Sequence, residues 1–185
     1  MMKSRDGGGG RRRRRDQEPQ EREFEQRVID LARVTRVVAG GKRMRFRAIV
    51  AVGDLKGRVG VAMGKGADVA SAVSKATTKA KKNLVTVPLS EGTIPHEIRQ
   101  KSGAAYIMLK PAPPGTGVIA GGPVRILMEM AGIKNIVSKI LGTRNKINNV
   151  HAVMAALGNL TPSPGNPKVI AADTAKPIAT EEVKA

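Results

Sequence analysis

The chain has 185 residues, and its 33 Lys plus Arg against 15 Asp plus Glu give a formal net charge of +18. A charge this far from neutral favours an anionic partner, and nucleic acid fits better than a membrane surface. The absence of cysteine excludes a disulfide framework, a zinc ribbon and a thiol nucleophile. The two distant histidines predict no metal site, and the lack of a long apolar run predicts no membrane span or signal peptide, so we expect a cytoplasmic protein.

Aromatic side chains are scarce, because Phe24, Phe46 and Tyr106 are the whole set. Proteins that hold single strands usually stack the bases on aromatic faces. Folded RNA, recognised through its phosphates and its shape, fits this composition better. The composition therefore predicts a protein that binds structured RNA.

Composition divides the chain into four parts. Residues 1–22 combine glycine and arginine runs and predict a disordered basic arm, either solvated or threaded between RNA helices. Residues 161–185 are rich in Ala, Pro and Thr and predict a flexible tail. Residues 23–90 carry 14 basic and 5 acidic side chains, whereas residues 91–160 carry 8 and 3. We expect two domains that meet near Pro88–Gly92, with the denser RNA contact in the first.

The first domain is predicted to contain a hairpin followed by a strand and a helix. In chain order the predicted elements are a short helix over Phe24–Leu31, a strand over Arg33–Val38, a loop over Ala39–Lys42, a strand over Lys42–Val50, a turn over Gly53–Gly57, a strand over Arg58–Met63 and a helix from Val69 to about Leu84, capped by Asp68. The second strand alternates, which places Arg43, Arg45 and Arg47 on one face and Met44, Phe46 and Ala48 on the other.

The predicted helix carries a lysine stripe. At about 100° per residue, Lys75, Lys79 and Lys82 fall within roughly 60° of one another, opposite the apolar side of the helix. A charged stripe is most often a solvated face. The neighbouring arginine strand favours RNA binding instead.

The second domain is predicted to mix strands and helices around a glycine loop. The predicted elements are strands over Ile94–Lys101 and Ala104–Lys110, the loop Pro114–Gly122, a helix over Gly122–Ala131, a strand over Ile136–Leu141 and a helix from Asn145 to about Leu157, capped by Asn145.

The glycine loop between a strand and a helix matches the pattern G-x-G-x-x-A of dinucleotide-binding proteins. That site needs an acidic residue about twenty positions further on, but Asn135 stands there. A kinase would need carboxylates to hold magnesium, and residues 91–160 offer only Glu91, Glu97 and Glu129. We therefore expect no enzyme and no cofactor. The loop either turns tightly without a ligand or meets RNA phosphate or a neighbouring protein.

A series of short motifs occurs in a specific order. They are Arg33-Val34-Thr35-Arg36, Gly40-Gly41, Val52-Gly53-Asp54, Gly57-Arg58-Val59-Gly60, Met63-Gly64-Lys65-Gly66, the lysine helix, the loop Gly115–Gly122 and Gly142-Thr143-Arg144-Asn145. From about Arg27 to Leu160 the chain resembles bacterial small-subunit ribosomal protein five. The resemblance implies an α+β fold with disordered tails: a double-stranded-RNA-binding-like module of helix, three-stranded sheet and helix, and a C-terminal α/β module of the type also seen in some small-molecule kinases.

The resemblance also implies a function and partners. It implies assembly into the small ribosomal subunit, contacts with rRNA and with neighbouring ribosomal proteins four and eight, a position near the mRNA entry channel and an influence on decoding accuracy. The family's RNA-facing loop, which approaches the spectinomycin site, falls on Thr35–Lys42. Ala39 stands where family members often carry lysine, and the resemblance implies that this weakens one phosphate contact, for which Arg43 and Arg45 compensate.

Two sets of site residues follow. The residues predicted to bind RNA are Arg33, Arg36, Gly40, Gly41, Lys42, Arg43, Arg45, Arg47, Arg58, Lys65, Lys75, Lys79, Lys82 and Arg144. The resemblance implies that the interface with ribosomal protein four falls on the glycine loop and the helix after it, and the residues predicted to contact this neighbour are Gly115, Gly117, Gly121, Gly122 and Arg125. A free-standing duplex-RNA-binding protein is the alternative hypothesis, for which the basic first domain would suffice.

Overall fold

The computed structural model describes residues 24–162. The predicted basic arm and nearly all of the predicted tail lie outside the described residues. The elements are β1 (Glu25–Val38), β2 (Gly41–Gly53), β3 (Arg58–Gly66), α1 (Val69–Ala80), β4 (Leu84–Thr86), β5 (Ile98–Ser102), β6 (Ala105–Pro111), β7 (Val118–Ile119), α2 (Gly122–Ala131), β8 (Ile136–Ile140) and α3 (Lys146–Gly158).

The first module is an antiparallel sheet with strand order β1-β2-β3-β4 and one helix, α1, packed on it. Small side chains let the helix approach the strands closely. The buried residues of this small core are Ala48, Val50, Val52, Ala72, Ala76 and Ala80. The predicted alternation of β2 is confirmed where the helix covers it, because Phe46 and Ala48 pack towards α1, whereas Met44 lies beyond the helix and is 52% exposed.

The short helix predicted over Phe24–Leu31 is wrong, because these residues lead into and form the first half of β1. The ladder with β2 runs from the pair Glu25 and Gly53 to the pair Val38 and Gly41, with a bulge between Val28 and Asp30. Continuous pairing with β2 satisfies the backbone and overrides the weak local preference for a helix. From residue 24 onwards, where the structure is described, the first module therefore has a four-stranded sheet and a single helix, rather than the predicted order of helix, three-stranded sheet and helix.

Helix α1 is shorter than the sequence predicts. It ends at Ala80, and the amides of Lys82 and Asn83 donate to carbonyls one turn back in a closing turn. Leu84, predicted to be helical, pairs with Gly60 and starts β4. Asp68 occupies the N-cap position, but its side chain makes no capping hydrogen bond. Pairing with β3 thus ends the helix four residues early.

The second module is a sheet of strand order β5-β6-β8-β7, with α2 and α3 packed on it. The predicted helices are confirmed, and the Asn145 side chain caps α3 by accepting a hydrogen bond from the Ile147 amide at 3.1 Å. The strand predicted from Ile94 starts only at Ile98. The short strand β7, which the sequence analysis missed, pairs parallel to β8.

The two modules share backbone contacts and a core. The Leu55 amide donates to the Met130 carbonyl at 3.2 Å, and the Gly57 amide donates to the Ala131 carbonyl at 3.0 Å. Gly132, which ends α2 with a φ of 81°, packs so closely that a Cβ there would overlap the Leu55 carbonyl. Apolar side chains of β2 and β3 also join the core of the second module. The two sheets are therefore held together by direct packing.

Candidate RNA-binding surface and glycine loop

The β1–β2 hairpin extends beyond the rest of the first sheet. Pairing between β2 and β3 stops at Phe46 and Gly66, so residues 33–45 form a two-stranded arm, which we call the basic ribbon. It contains no acidic residue, and its five cations are all exposed: Arg33, Arg36, Lys42, Arg43 and Arg45. A two-stranded ribbon of this kind has the width to enter a groove of a nucleic acid or to lie along its backbone.

Two arginines of the basic ribbon stand directly opposite each other. Arg36 pairs with Arg43 in the β1–β2 register, which places both side chains on the same face. Like charges in facing cross-strand positions destabilise a sheet by roughly 0.2–1 kcal/mol. Within residues 24–162, none of the ribbon cations has a salt-bridge partner. The ribbon therefore carries a repulsion that a bound phosphate would relieve.

A second cationic feature lies between α1 and the outer edge of β3. An open groove of about 660 Å³ is lined by Met63, Gly64, Lys65, Ser74, Lys75, Thr78, Lys79 and Lys82, and we call it the lysine groove. Its four lysines are exposed and have no ion-pair partner among the described residues. The hydroxyls of Ser74 and Thr78 also line the groove, where they donate to the Ser71 and Ser74 carbonyls of the helix backbone.

The basic ribbon and the lysine groove meet at the end of β3. Lys65 pairs with Arg47 across the β2–β3 ladder, so it shares the sheet face of Arg43 and Arg45. Lys65 also lines the groove beside α1. The structure therefore joins two sets of cations, 20 or more residues apart in sequence, into one surface.

Two residues of the predicted RNA-binding set are held by contacts within the protein. Arg47 lies 3.8 Å from the Asp30 carboxylate, and its Nε is buried without a hydrogen-bond partner in the described chain. Arg58 donates from Nε to Asp54 Oδ2 at 2.7 Å and lies 5.3 Å from the centre of the Phe24 ring. Both arginines therefore have a structural role in the fold, and their contact with RNA stays a prediction.

Asp54 organises the turn between β2 and β3. Burial alone would raise the pKa of Asp54, but the hydrogen bond from the Arg58 side chain and those from the Arg58 and Lys56 amides outweigh it. The pKa of Asp54 therefore lies below its usual value, and the carboxylate is charged at neutral pH.

The remaining predicted RNA contacts lie at two loops. Gly40 and Gly41 form the tip of the basic ribbon, where Gly41 has a φ of 138°. Arg144 is exposed in the loop before α3, two residues before Lys146. Lys146 Nζ donates to Asp30 Oδ1 at 2.7 Å, which brings this loop towards β1. Whether these residues contact RNA stays a prediction.

One side chain makes hydrogen bonds to two backbone amides of the glycine loop. Asn135 Oδ1 accepts hydrogen bonds from the amides of Gly115 and Gly117, each at 3.1 Å. These are the N–H groups that a nucleotide cradle would point at a phosphate. Asn135 stands near the position where the dinucleotide pattern requires an acid, and the sequence analysis missed its structural role. A side chain that reaches back 20 residues leaves no periodic signal in a sequence.

The predicted protein-interface residues form the rim of this loop. Gly121 and Gly122 are exposed where α2 begins. Arg125 Nε donates to Glu129 Oε1 at 3.0 Å, and Glu129 also pairs with Arg27 of β1. The hydrogen bond from Arg125 lowers the pKa of Glu129, burial opposes it and Arg27 adds to the lowering. Ile119, 53% exposed, adds an apolar side chain to the same rim.

Other kinds of site find no support in the part of the chain that the structure describes. Between residues 24 and 162, no group of three His, Cys, Asp or Glu side chains is placed to hold a metal ion. No described helix is both long and apolar enough to cross a membrane.

Comparison with known proteins identifies the family. Residues 24–88 match the family model "Ribosomal protein S5, N-terminal domain", and residues 100–165 match "Ribosomal protein S5, C-terminal domain". The chain is 54% identical over 139 residues to small ribosomal subunit protein uS5c of Emiliania huxleyi, a match that covers 75% of this chain and 87% of the relative.

Two further relatives carry the same name in chloroplast and cyanobacterial forms. Protein uS5c of Guillardia theta is 51% identical over 141 residues, or 76% of this chain and 83% of the relative. Protein uS5 of Gloeobacter violaceus is 52% identical over 141 residues, or 76% of this chain and 63% of the relative. With both family models matched in order and identities this high, the chain belongs to the ribosomal protein S5 family.

Proposed function

We propose that this chain binds small-subunit rRNA through the surface formed by the basic ribbon and the lysine groove. Members of the ribosomal protein S5 family are structural components of the small ribosomal subunit and not enzymes. The observation that supports the proposed contact is the concentration of exposed lysines and arginines, without ion-pair partners in the described chain, at one end of the first sheet.

The proposed mechanism is phosphate neutralisation combined with shape fit. Lysine and arginine side chains that approach RNA phosphates release condensed counterions, so the affinity falls as salt rises. Phosphate contacts carry little sequence information, and specificity then comes from the fold of the RNA. The ribbon and the groove lie on different elements of the first module and meet at Lys65, which suits a folded RNA rather than a single extended strand.

We assign a different function to each of the two modules. Residues 23–90 serve as the rRNA-binding domain, in which α1 presents Lys75 and Lys79 beside the sheet. Residues 91–160 serve as the α/β domain that contacts other proteins. The lower positive charge of the second segment supports this assignment.

We propose the glycine loop and the start of α2 as the surface for a neighbouring ribosomal protein. The resemblance to the family assigns protein four of the small subunit to this surface, with protein eight and the mRNA entry channel nearby. The exposed Ile119 and the fixed shape of the loop support a protein partner, because such interfaces bury preformed apolar surface. In this position the chain would contribute to subunit assembly and to decoding accuracy.

Co-sedimentation tests the proposed function. A tagged copy of the full chain is followed through a gradient of cell lysate at moderate and high salt, with and without ribonuclease. We expect it to travel with small subunits and whole ribosomes and to remain there at high salt. If it stays at the top of the gradient, or binds mixed RNA from which salt releases it, the free-standing duplex-RNA-binding alternative takes the place of this proposal.

A further inference from the structure

Asn135 lies where three segments of the second module meet. It is only 9% exposed and immediately precedes β8. Its backbone amide donates to the Gly92 carbonyl at 3.1 Å, so the segment that joins the two sheets fixes its position. Its side-chain oxygen then accepts from the Gly115 and Gly117 amides.

Both the backbone amide and the backbone carbonyl of Gly117 make hydrogen bonds within the second module. The Gly117 amide binds Asn135 Oδ1 at 3.1 Å, and the Gly117 carbonyl accepts from the Ile136 amide at 3.1 Å. Gly115 and Gly117 both have positive φ, 95° and 74°, a backbone conformation that glycine adopts without strain. Asn135 and the start of β8 hold the loop by hydrogen bonds on one side, and the space in the Cβ direction of both glycines is open.

The occupied amides also decide what the loop can bind. A phosphate cradle needs free N–H groups that converge on the ligand. Here the two inward amides converge on the Asn135 oxygen, which is an acceptor already in the place of an anion oxygen. An anion would have to displace it and leave a nearly buried amide group without its partners, which is unfavourable.

We infer that Asn135 is a positioning residue. Its side-chain oxygen occupies the place that an anion oxygen would take in a phosphate-binding loop, and it fixes the glycine loop as a rigid platform for a protein partner. The inference rests on the proposed function only for the identity of that partner. The loop geometry itself can be measured on the free chain.

Amide hydrogen exchange, followed by NMR on the labelled full chain, tests the inference directly. In Asn135→Ala we expect the amides of Gly115 and Gly117 to exchange about tenfold faster, as the loss of one hydrogen bond to each predicts. Asn135→Asp keeps an acceptor in the same place and is expected to retain their protection. Asn159→Ala, which removes an exposed asparagine that donates to Gln100, is the matched control and should leave both glycines unchanged.

Two results would overturn the inference. One is unchanged exchange of Gly115 and Gly117 in Asn135→Ala, and the other is equal loss of protection in Asn135→Asp, which would mean that the oxygen acceptor does not hold the loop. Inorganic phosphate, titrated into the wild-type chain, should leave the two amide resonances in place. Saturable shifts at both amides would show an anion site and contradict the platform.

Incorporation into small subunits separates this inference from the proposed function. Asn135→Ala is expected to compete poorly with the wild-type chain for incorporation, and Asn135→Asp is expected to rescue it. If exchange changes as expected but incorporation is equal for all three chains, Asn135 still positions the loop, and the proposed docking of a protein on that loop is wrong.

Discussion

Lys146 and Asp30 connect the two modules through a hydrogen-bonded ion pair. The Lys146 ammonium, on the first residue of α3, donates to Asp30 Oδ1 at 2.7 Å, although the two residues are 116 positions apart. The same carboxylate lies 3.8 Å from Arg47. One acid therefore neutralises two cations from different modules, at the edge of a strongly basic surface.

Asp30→Asn is expected to destabilise the protein by about 1 kcal/mol, because the partly buried Arg47 and the exposed Lys146 lose their shared counter-charge. Urea unfolding at neutral pH and low salt measures the change. Glu25→Gln removes an exposed acid from the same strand, outside any ion pair of the described chain, and is expected to have little effect. Equal stability of the two variants would contradict a structural role for Asp30.

Asp54→Asn should reveal a pH-dependent contribution to stability. Since the pKa of Asp54 is lowered in the folded state, its charge stabilises the protein above the unfolded value, about 3.9, and this effect is lost as pH falls through the folded value. Relative to the wild type, we expect the variant to be less stable at pH 7, with the difference shrinking below about pH 4. Thermal unfolding from pH 7 to pH 3 measures it, and a pH-independent difference would be inconsistent with a charge effect.

Gly117→Arg is expected to alter decoding accuracy without unfolding the chain. A Cβ at this position meets nothing within 4 Å, and the left-handed backbone costs an arginine roughly 1–2 kcal/mol. The new side chain would project from the loop proposed to meet a neighbouring protein. Misreading of a reporter gene measures the effect.

Gly103→Arg is the matched control for that variant. Gly103 also has a positive φ, 56°, and open space around its Cβ direction, but it lies in the β5–β6 turn. We expect it to leave misreading unchanged. If Gly117→Arg and Gly103→Arg behave alike, the interface assignment for the glycine loop is wrong.

Neutralising the facing arginines of the basic ribbon should change the salt dependence of RNA binding. If Arg36 and Arg43 each contact a phosphate, the double variant Arg36→Gln with Arg43→Gln makes the negative slope of log K against log salt shallower by about 2. Binding to small-subunit rRNA over a range of KCl concentrations measures the slope. An unchanged slope, with an intact fold, would remove these two residues from the contact.

Short-range sequence patterns correctly predicted those elements whose secondary structure depends on only a few neighbouring residues. The alternation of β2, the bounds of α2 and the Asn145 cap of α3 could all be predicted from short-range spacing. The first half of β1 could not, because Phe24, Val28 and Leu31 recur at helical spacing and only the long ladder with β2 decides between helix and strand there, whereas the strand predicted over Arg33–Val38 is confirmed.

The individual cations of the proposed RNA-binding surface were predicted from the sequence, but their arrangement on the surface depends on tertiary contacts. Arg47 looks like a free cation in the sequence, and its acidic partner, Asp30, is identified only by the fold, which brings the two together from neighbouring strands. The contact of Asn135 with the glycine loop is likewise a bond between distant segments. The number of charges in a segment can be read from its sequence, whereas ion pairs and hydrogen bonds between distant segments depend on the fold.

The most direct test of the RNA-binding surface is competition for incorporation into small subunits by Lys75→Glu with Lys79→Glu. Both lysines are exposed in the lysine groove, so the double change should cancel the positive charge of the four groove lysines without loss of circular dichroism signal. Lys101→Glu with Lys139→Glu makes the same charge change at exposed positions of β5 and β8. We predict that the groove variant is displaced from subunits by the wild-type chain and the control is not; equal incorporation of the two variants would contradict the claim that this surface binds rRNA.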